Sequence, residues 1–200
     1  MKQIKTLVLV ILVIGTSLTS YAQKDKDKKN NKPDKFGIRF GHQSANLFKD
    51  SKSYEEFTSL STFYVGTFKY FKVIPFLKVG SGLEFFQSGT VSTNKNKMHL
   101  YYLSVPFNAQ IKLGPLFILG GIAPSFKVAE RWEISGDKIN PASDDKTNWF
   151  DAPVFAGLGF KFLMFSIEAR YHWGTVELYD SGVGTGYKNQ YFQLGLGIWL

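Results

Sequence analysis

Ser166, Glu168 and His172 are the residues of this 200-residue chain whose types suit hydrolytic chemistry: a hydroxyl nucleophile, an acid and an imidazole base. They sit in Phe165-Ser-Ile-Glu-Ala-Arg-Tyr-His-Trp173, where a strand would put all three on one face. The spacing denies them a triad: Ser166 and His172 would lie roughly 20 Å apart at ~3.3 Å per residue, far beyond hydrogen-bond reach. His42 and His99 are isolated and the chain has no cysteine, so the sequence indicates no transition-metal site and no cofactor. Asp137 and Asp144-Asp145 are acids in loop-like sequence, suited at most to a weakly held cation. Gly182-x-Gly184-x-Gly186 lacks both the following lysine and serine and the strand–turn–helix setting of a phosphate loop. The sequence therefore reads as a protein that is not an enzyme.

The elements that carry these residues alternate with period two. In the segment just quoted Phe165, Ile167, Ala169, Tyr171 and Trp173 oppose Ser166, Glu168, Arg170 and His172. Residues 36–200 contain eight such stretches: Phe36–Leu47, Leu60–Phe71, Phe76–Ser88, Leu100–Leu113, Leu116–Ala129, Ala152–Phe162, Phe165–Gly174 and Gln190–Leu200. Short links (72–75, 114–115, 163–164) alternate with long polar ones (48–59, 89–99, 130–151, 175–189). One face of each stretch is large and apolar; the other mixes glycine with isolated charges. In a soluble barrel or sandwich the apolar face turns inward, and the glycines opposite it have no purpose. In a membrane barrel the apolar face meets lipid, and glycine lets a narrow wall close around bulky neighbours. The favoured fold is all-β: an eight-stranded antiparallel up-and-down transmembrane β-barrel.

Both ends of the chain agree with this. Met1 to Ala22 has the charged start (Lys2, Lys5), the apolar run Leu7 to Ile14 and the Ser20-Tyr-Ala22 finish of a secretory signal peptide. Without cysteine the chain takes no lipid anchor at its amino end and no disulfide. Residues 23–35 read as a disordered polar periplasmic spacer. Its six lysines and three aspartates, with Lys2 and Lys5, supply most of the formal net charge of +8, so the basic balance is no sign of nucleic-acid binding. At the other end Gln193-Leu-Gly-Leu-Gly-Ile-Trp-Leu200 keeps its alternation to the last residue. Gln193, Gly195, Ile198 and Leu200 fit the signal that barrel-assembly machinery reads on a closing strand.

An eight-stranded barrel is only wide enough for side chains to fill it. Arg39, Lys78, Glu84, Lys112, Lys161, Glu168 and Arg170 fall on its inner face and are expected to form a polar network, with Glu84 and Glu168 as scarce acids and a surplus of bases that calls for water or anions. Tyr101, Tyr171, Trp173, Phe71, Phe162 and Phe165 are placed for interfacial girdles. Pro106, Pro124 and Pro153 interrupt strands of a wall that has no free edge, so bulges are expected there.

At this point the chain resembles a known family. Leu100-Tyr-Tyr-Leu-Ser-Val-Pro-Phe107 followed by Gly114-Pro-Leu-Phe-Ile-Leu-Gly-Gly-Ile122 is similar to a hairpin of the PorT-like outer-membrane β-barrel proteins, as are Phe36-Gly-Ile-Arg-Phe-Gly41, Gly157-Leu-Gly-Phe160 and Ala169-Arg-Tyr171. The resemblance spans residues 36–200 and implies a meander barrel in the outer membrane, with both termini periplasmic. The family's namesake serves type IX protein secretion, but no motif here singles out that member. The expected role is structural or interactive through the outward loops, where Trp132 and Trp149 of the longest loop are the contact candidates, or places at the membrane rim. A secretion-machinery component is the alternative, and a lipid-modifying enzyme the weaker third reading. Expected partners are outer-membrane lipid, the barrel-assembly machinery during insertion, and an envelope or secretion protein.

Overall fold

The computed structural model describes residues 35–49, 52–53, 57–92, 96–134, 137–139, 147–178 and 186–200. The expected signal peptide (1–22) and most of the expected spacer (23–35), Asp144-Asp145, Gly182 and Gly184 lie outside them. The strands are β1 (Lys35–Lys49), β2 (Lys52–Ser53), β3 (Phe57–Ile74), β4 (Leu77–Ser92), β5 (Lys97–Ser104), β6 (Phe107–Leu113), β7 (Leu116–Ile122), β8 (Ser125–Ile134), β9 (Asp137–Ile139), β10 (Phe150–Asp151), β11 (Val154–Phe162), β12 (Phe165–Glu177) and β13 (Tyr187–Trp199).

These strands make eight walls, because three walls are each interrupted once: β6 continues β5, β8 continues β7, and β11 continues β10. All ladders are antiparallel, and β13 returns to pair with β1 from Gly37↔Trp199 to Lys49↔Tyr187, which closes the ring. Closure pairs the backbone groups that hydrocarbon would otherwise leave bare. The turns at 75–76, 114–115 and 163–164 share one rim. Gly114 (φ 69°) and Leu163 (φ 52°) take the left-handed conformation that such tight hairpin links demand.

The faces divide as the alternation requires. Phe40, Phe63, Val65, Leu83, Phe107, Ile118, Leu158, Ile167 and Leu194 are exposed on the outer surface, while Arg39, Gln43, Glu84, Ser166, Arg170 and Gln193 are buried in the lumen. The girdle candidates Phe71, Phe162, Phe165 and Trp173 are exposed, and Tyr101 and Tyr171 are half-buried.

The prolines do not produce bulges. Ser104↔Ser125 and Phe107↔Ile122 belong to one register, so Val105 faces Pro124, and Pro106 faces Ala123. On the next wall Asp151↔Ser125 and Val154↔Ile122 do the same, so Pro124 faces Ala152. Each proline therefore meets a non-proline partner whose N–H still donates: Val105 N–H to the Pro124 carbonyl at 2.9 Å and Ala123 N–H to the Pro153 carbonyl at 2.8 Å. Hydroxyls also serve carbonyls of the seam, Ser125 donating to Ala123 (2.6 Å), Ser104 to the same Pro124 carbonyl (3.1 Å) and Thr175 to Ala152 (2.8 Å). The missing donors are thus absorbed without slipping the ladder. Register shifts lie instead at Ser59/Tyr64, Lys72/Ile74, Tyr101/Tyr102 and Trp173/Glu177.

Candidate functional site

The lumen gathers the buried charged side chains Arg39, Glu84, Glu168 and Arg170, and it is built in layers. Strands β1, β3, β4, β12 and β13 each send alternate residues into it, so the ladder register decides which charges meet. At the centre Arg39 Nη1 lies 2.8 Å from Glu168 Oε1, Arg170 Nη2 lies 2.9 Å from Glu84 Oε2, and Arg170 Nε lies 3.2 Å from Glu168 Oε1. The four form one chain, Arg39–Glu168–Arg170–Glu84, across the barrel. Gln193 extends it, its Nε2 donating to Glu84 (3.2 Å) and to Gln43 (2.8 Å). Two guanidiniums face two carboxylates, so this layer is neutral. Its members are buried, Arg170 to 1% exposure, and a charge at such depth is tolerated only when paired.

The remaining bases of the expected network lie elsewhere. Lys78 and Lys161 are half-buried at the short-turn mouth, their ammonium groups over the Trp199 ring at 5.3 and 3.5 Å from its centroid. Lys112 is exposed on the rim. The surplus of bases therefore sits at a mouth, near water, and not in the central layer: each of these lysines is two residues from a turn, and the length of the strand below the centre is what alternation alone does not show.

Aromatic rings fill the space on either side of the charges. Phe68, Tyr70 and Trp199 form the short-turn layer, with Arg39 stacked on Phe68 at 4.6 Å. On the long-loop side His172 is sandwiched between Phe155 (4.7 Å) and Tyr191 (4.3 Å), and Phe86 stacks against Tyr191 and Tyr102. Glycines opposite make the room. A Cβ on Gly37 would collide with the Phe68 ring, one on Gly159 with the Phe117 ring, and one on Gly195 with the Tyr64 hydroxyl. At the long-loop mouth Lys127 bonds Glu130 and Thr147, Thr147 N–H donates to Glu130 (3.2 Å), and Asn148 ties back to Glu177.

The three residues with hydrolytic chemistry are all engaged in this filling. Ser166 is buried, Glu168 holds two guanidiniums, and His172 is stacked between rings with Arg170 between it and Glu168 along the strand. Asp137 is exposed in β9. Residues 130–134 prolong β8, and Trp132–Ile134 pair with β9, so Trp132 lies on a strand and not in a loop. It is half-buried, and its indole N–H donates to Glu130 (2.9 Å). Trp149 is 64% exposed and packs on Phe126 and Phe150 at the rim. Of the closing-strand residues, Gln193 and Gly195 face the lumen, while Leu200 is exposed.

The family described as outer membrane protein beta-barrel domain matches residues 79–178. Among solved structures, the chain is similar to Ail, the attachment invasion locus protein of Yersinia pestis, in its complex with the heparin analogue sucrose octasulfate. Identity there is 16%, 84% of this chain covers 100% of that one, and the TM-score is 0.51. It is also similar to Neisserial surface protein A, at 12% identity, covering 82% of this chain and 96% of that one, with a TM-score of 0.55. At these identities the likeness is one of fold. No curated protein sequence matches the chain.

Proposed function

The chain belongs to the outer-membrane protein β-barrel family, and from that premise we propose that it is a closed, non-conducting barrel without chemistry of its own, which acts as a structural scaffold presenting its long-loop end to the outside. The observation that carries this reading is the Arg39–Glu168–Arg170–Glu84 chain, which crosses a lumen already filled above and below by rings. A solute path would have to break buried ion pairs, each costly to separate. A hydrolytic role would need Glu168 and His172 released from those contacts. The termini then lie on the periplasmic side with the short turns, and the closing strand is what the assembly machinery engages.

Recording from planar bilayers tests the reading. The folded protein should add no stable unitary steps to the membrane current at physiological salt; regular steps of one size would refute it. A place in type IX secretion rests on the resemblance of residues 36–200 alone, and measuring export of surface proteins from a deletion strain decides it.

A further inference from the structure

The outer surface changes character near the long-loop end of β5 and β8. Leu103, Phe107 and Ile111 face outward along the fourth wall, and beyond Tyr101 the same face carries His99 and Lys97. The ladder sets His99 beside Arg131 and Lys97 beside Glu133, and the β8–β9 hairpin places Lys138 opposite Glu133. His99, Tyr101, Arg131, Trp132, Glu133 and Lys138 line a cleft of about 190 Å³.

The cleft is built and not merely charged. Glu133 is held from two sides, 3.5 Å from Lys97 Nζ and 3.8 Å from His99 Nε2, and Gln87 Nε2 lies 2.5 Å from His99 Nδ1. The Tyr101 ring is stacked on Phe85 at 6.2 Å. Arg131 and Lys138 are exposed and make no ion pair among the described residues. Lys97, Arg131 and Lys138 thus face one carboxylate, so the cleft has an excess of positive charge beside the Tyr101 ring.

Its height identifies what it meets. From Leu113 at the short turn to Tyr101 is about twelve residues, which at ~3.3 Å each and ~40° tilt rises roughly 30 Å. The apolar band of such barrels is about 25 Å tall, so Tyr101 stands at the outer interface and the bases just above it. They also lie on the wall that faces lipid, not in the lumen.

We propose that this cleft binds the phosphorylated sugar headgroup of an outer-leaflet glycolipid, Arg131 and Lys138 holding phosphate and the Tyr101 ring packing against the sugar. The guanidinium suits a phosphate by its paired donors, and the ring suits the apolar face of a pyranose. The assignment rests on the reading that the long-loop end is extracellular.

The test titrates the folded protein in zwitterionic micelles with diphosphoryl lipid A, with lipid A lacking phosphates, and with inorganic phosphate, following the NMR signals of His99, Arg131 and Lys138. Diphosphoryl lipid A should shift these signals saturably, and the other two probes should not at equal concentration. The R131Q/K138Q double variant should bind about thirtyfold more weakly, the loss expected for two interfacial charges. Glu133→Gln, which removes the acid, should bind more tightly, an effect no folding defect would produce. Absent shifts, equal shifts with inorganic phosphate, unchanged binding by the double variant, or weaker binding by Glu133→Gln would each overturn the proposal. Orientation is read separately: in a chain without cysteine, Asp137→Cys should react with a membrane-impermeant maleimide on intact cells. Labelling only after the cells are broken would overturn the outward orientation even if binding in micelles stood.

Discussion

Replacing Arg170 by methionine isolates the central layer. Arg170 is 1% exposed, donates to Glu84 at 2.9 Å and stands 3.2 Å from Glu168. Its loss leaves the two carboxylates in unequal positions. Glu168 keeps Arg39 at 2.8 Å, whereas among the described residues Glu84 keeps only the Gln193 amide at 3.2 Å. One buried carboxylate has lost its cation, a defect that costs about 3–5 kcal/mol, or roughly a hundred- to several-thousandfold in the folding equilibrium. Adding Glu84→Gln removes the orphaned charge and leaves only lost hydrogen bonds, worth about 1–2 kcal/mol. The double variant should therefore be more stable than Arg170→Met alone. Urea titration of the barrel folded into lipid vesicles, scored by the different gel migration of folded and boiled samples, measures both. A cost under about 1 kcal/mol for Arg170→Met, or a double variant weaker than the single, would refute the pairing argument.

Other expectations follow from single positions. Gly120 and Gly121 should behave oppositely although they are neighbours. A Cβ on Gly120 meets only the Phe155 carbonyl at 3.5 Å, while one on Gly121 runs into the Phe107 carbonyl and lies 2.8 Å from the Asn108 Cα. Gly120→Ala should change stability by less than about 0.5 kcal/mol and Gly121→Ala should cost about 1–3 kcal/mol or more in the same urea assay. Equal effects would contradict the placement of that ladder. His99 lies above the apolar band, and burial lowers its pKa, with Glu133 opposing that shift. As pH falls through the ordinary histidine range the unfolded chain takes up a proton that folded His99 does not, so this residue's share of stability falls with acidification. NMR titration should place its midpoint below 6.5, and a midpoint above that value would contradict the burial.

Much of this architecture is legible in the chain because period two is local. The outward set Phe165, Ile167 and Phe192 and the inward set Arg170, Glu168 and Gln193 follow from counting along single strands, and the two scarce acids are visible as such. Pairing is not local. Arg170 meets Glu84 across 86 positions, and only the closed register brings them together. The rings show the same limit. Tyr102, Tyr191 and Trp199 fall on the inner face by parity, but that they stack into layers depends on which glycines face them from other walls. Trp132 misleads because the Tyr101/Tyr102 register shift and the short β9 hairpin extend β8 into what composition marks as loop. The prolines mislead for a similar reason. Each alone breaks a ladder, and only their alignment on adjacent walls gives every lost donor a neighbour that still donates.

Leucine methyl groups on both sides of the wall offer the sharpest test of the whole arrangement. With the barrel in lipid nanodiscs, cross-relaxation from acyl-chain protons should reach Leu158, Leu194 and Leu196 and leave Leu47, Leu100 and Leu119 untouched, since the first set is exposed on the outer surface and the second buried within. Contacts from lipid to Leu100 or Leu119, or none to Leu158 and Leu194, would contradict a barrel whose greasy face is turned to the membrane.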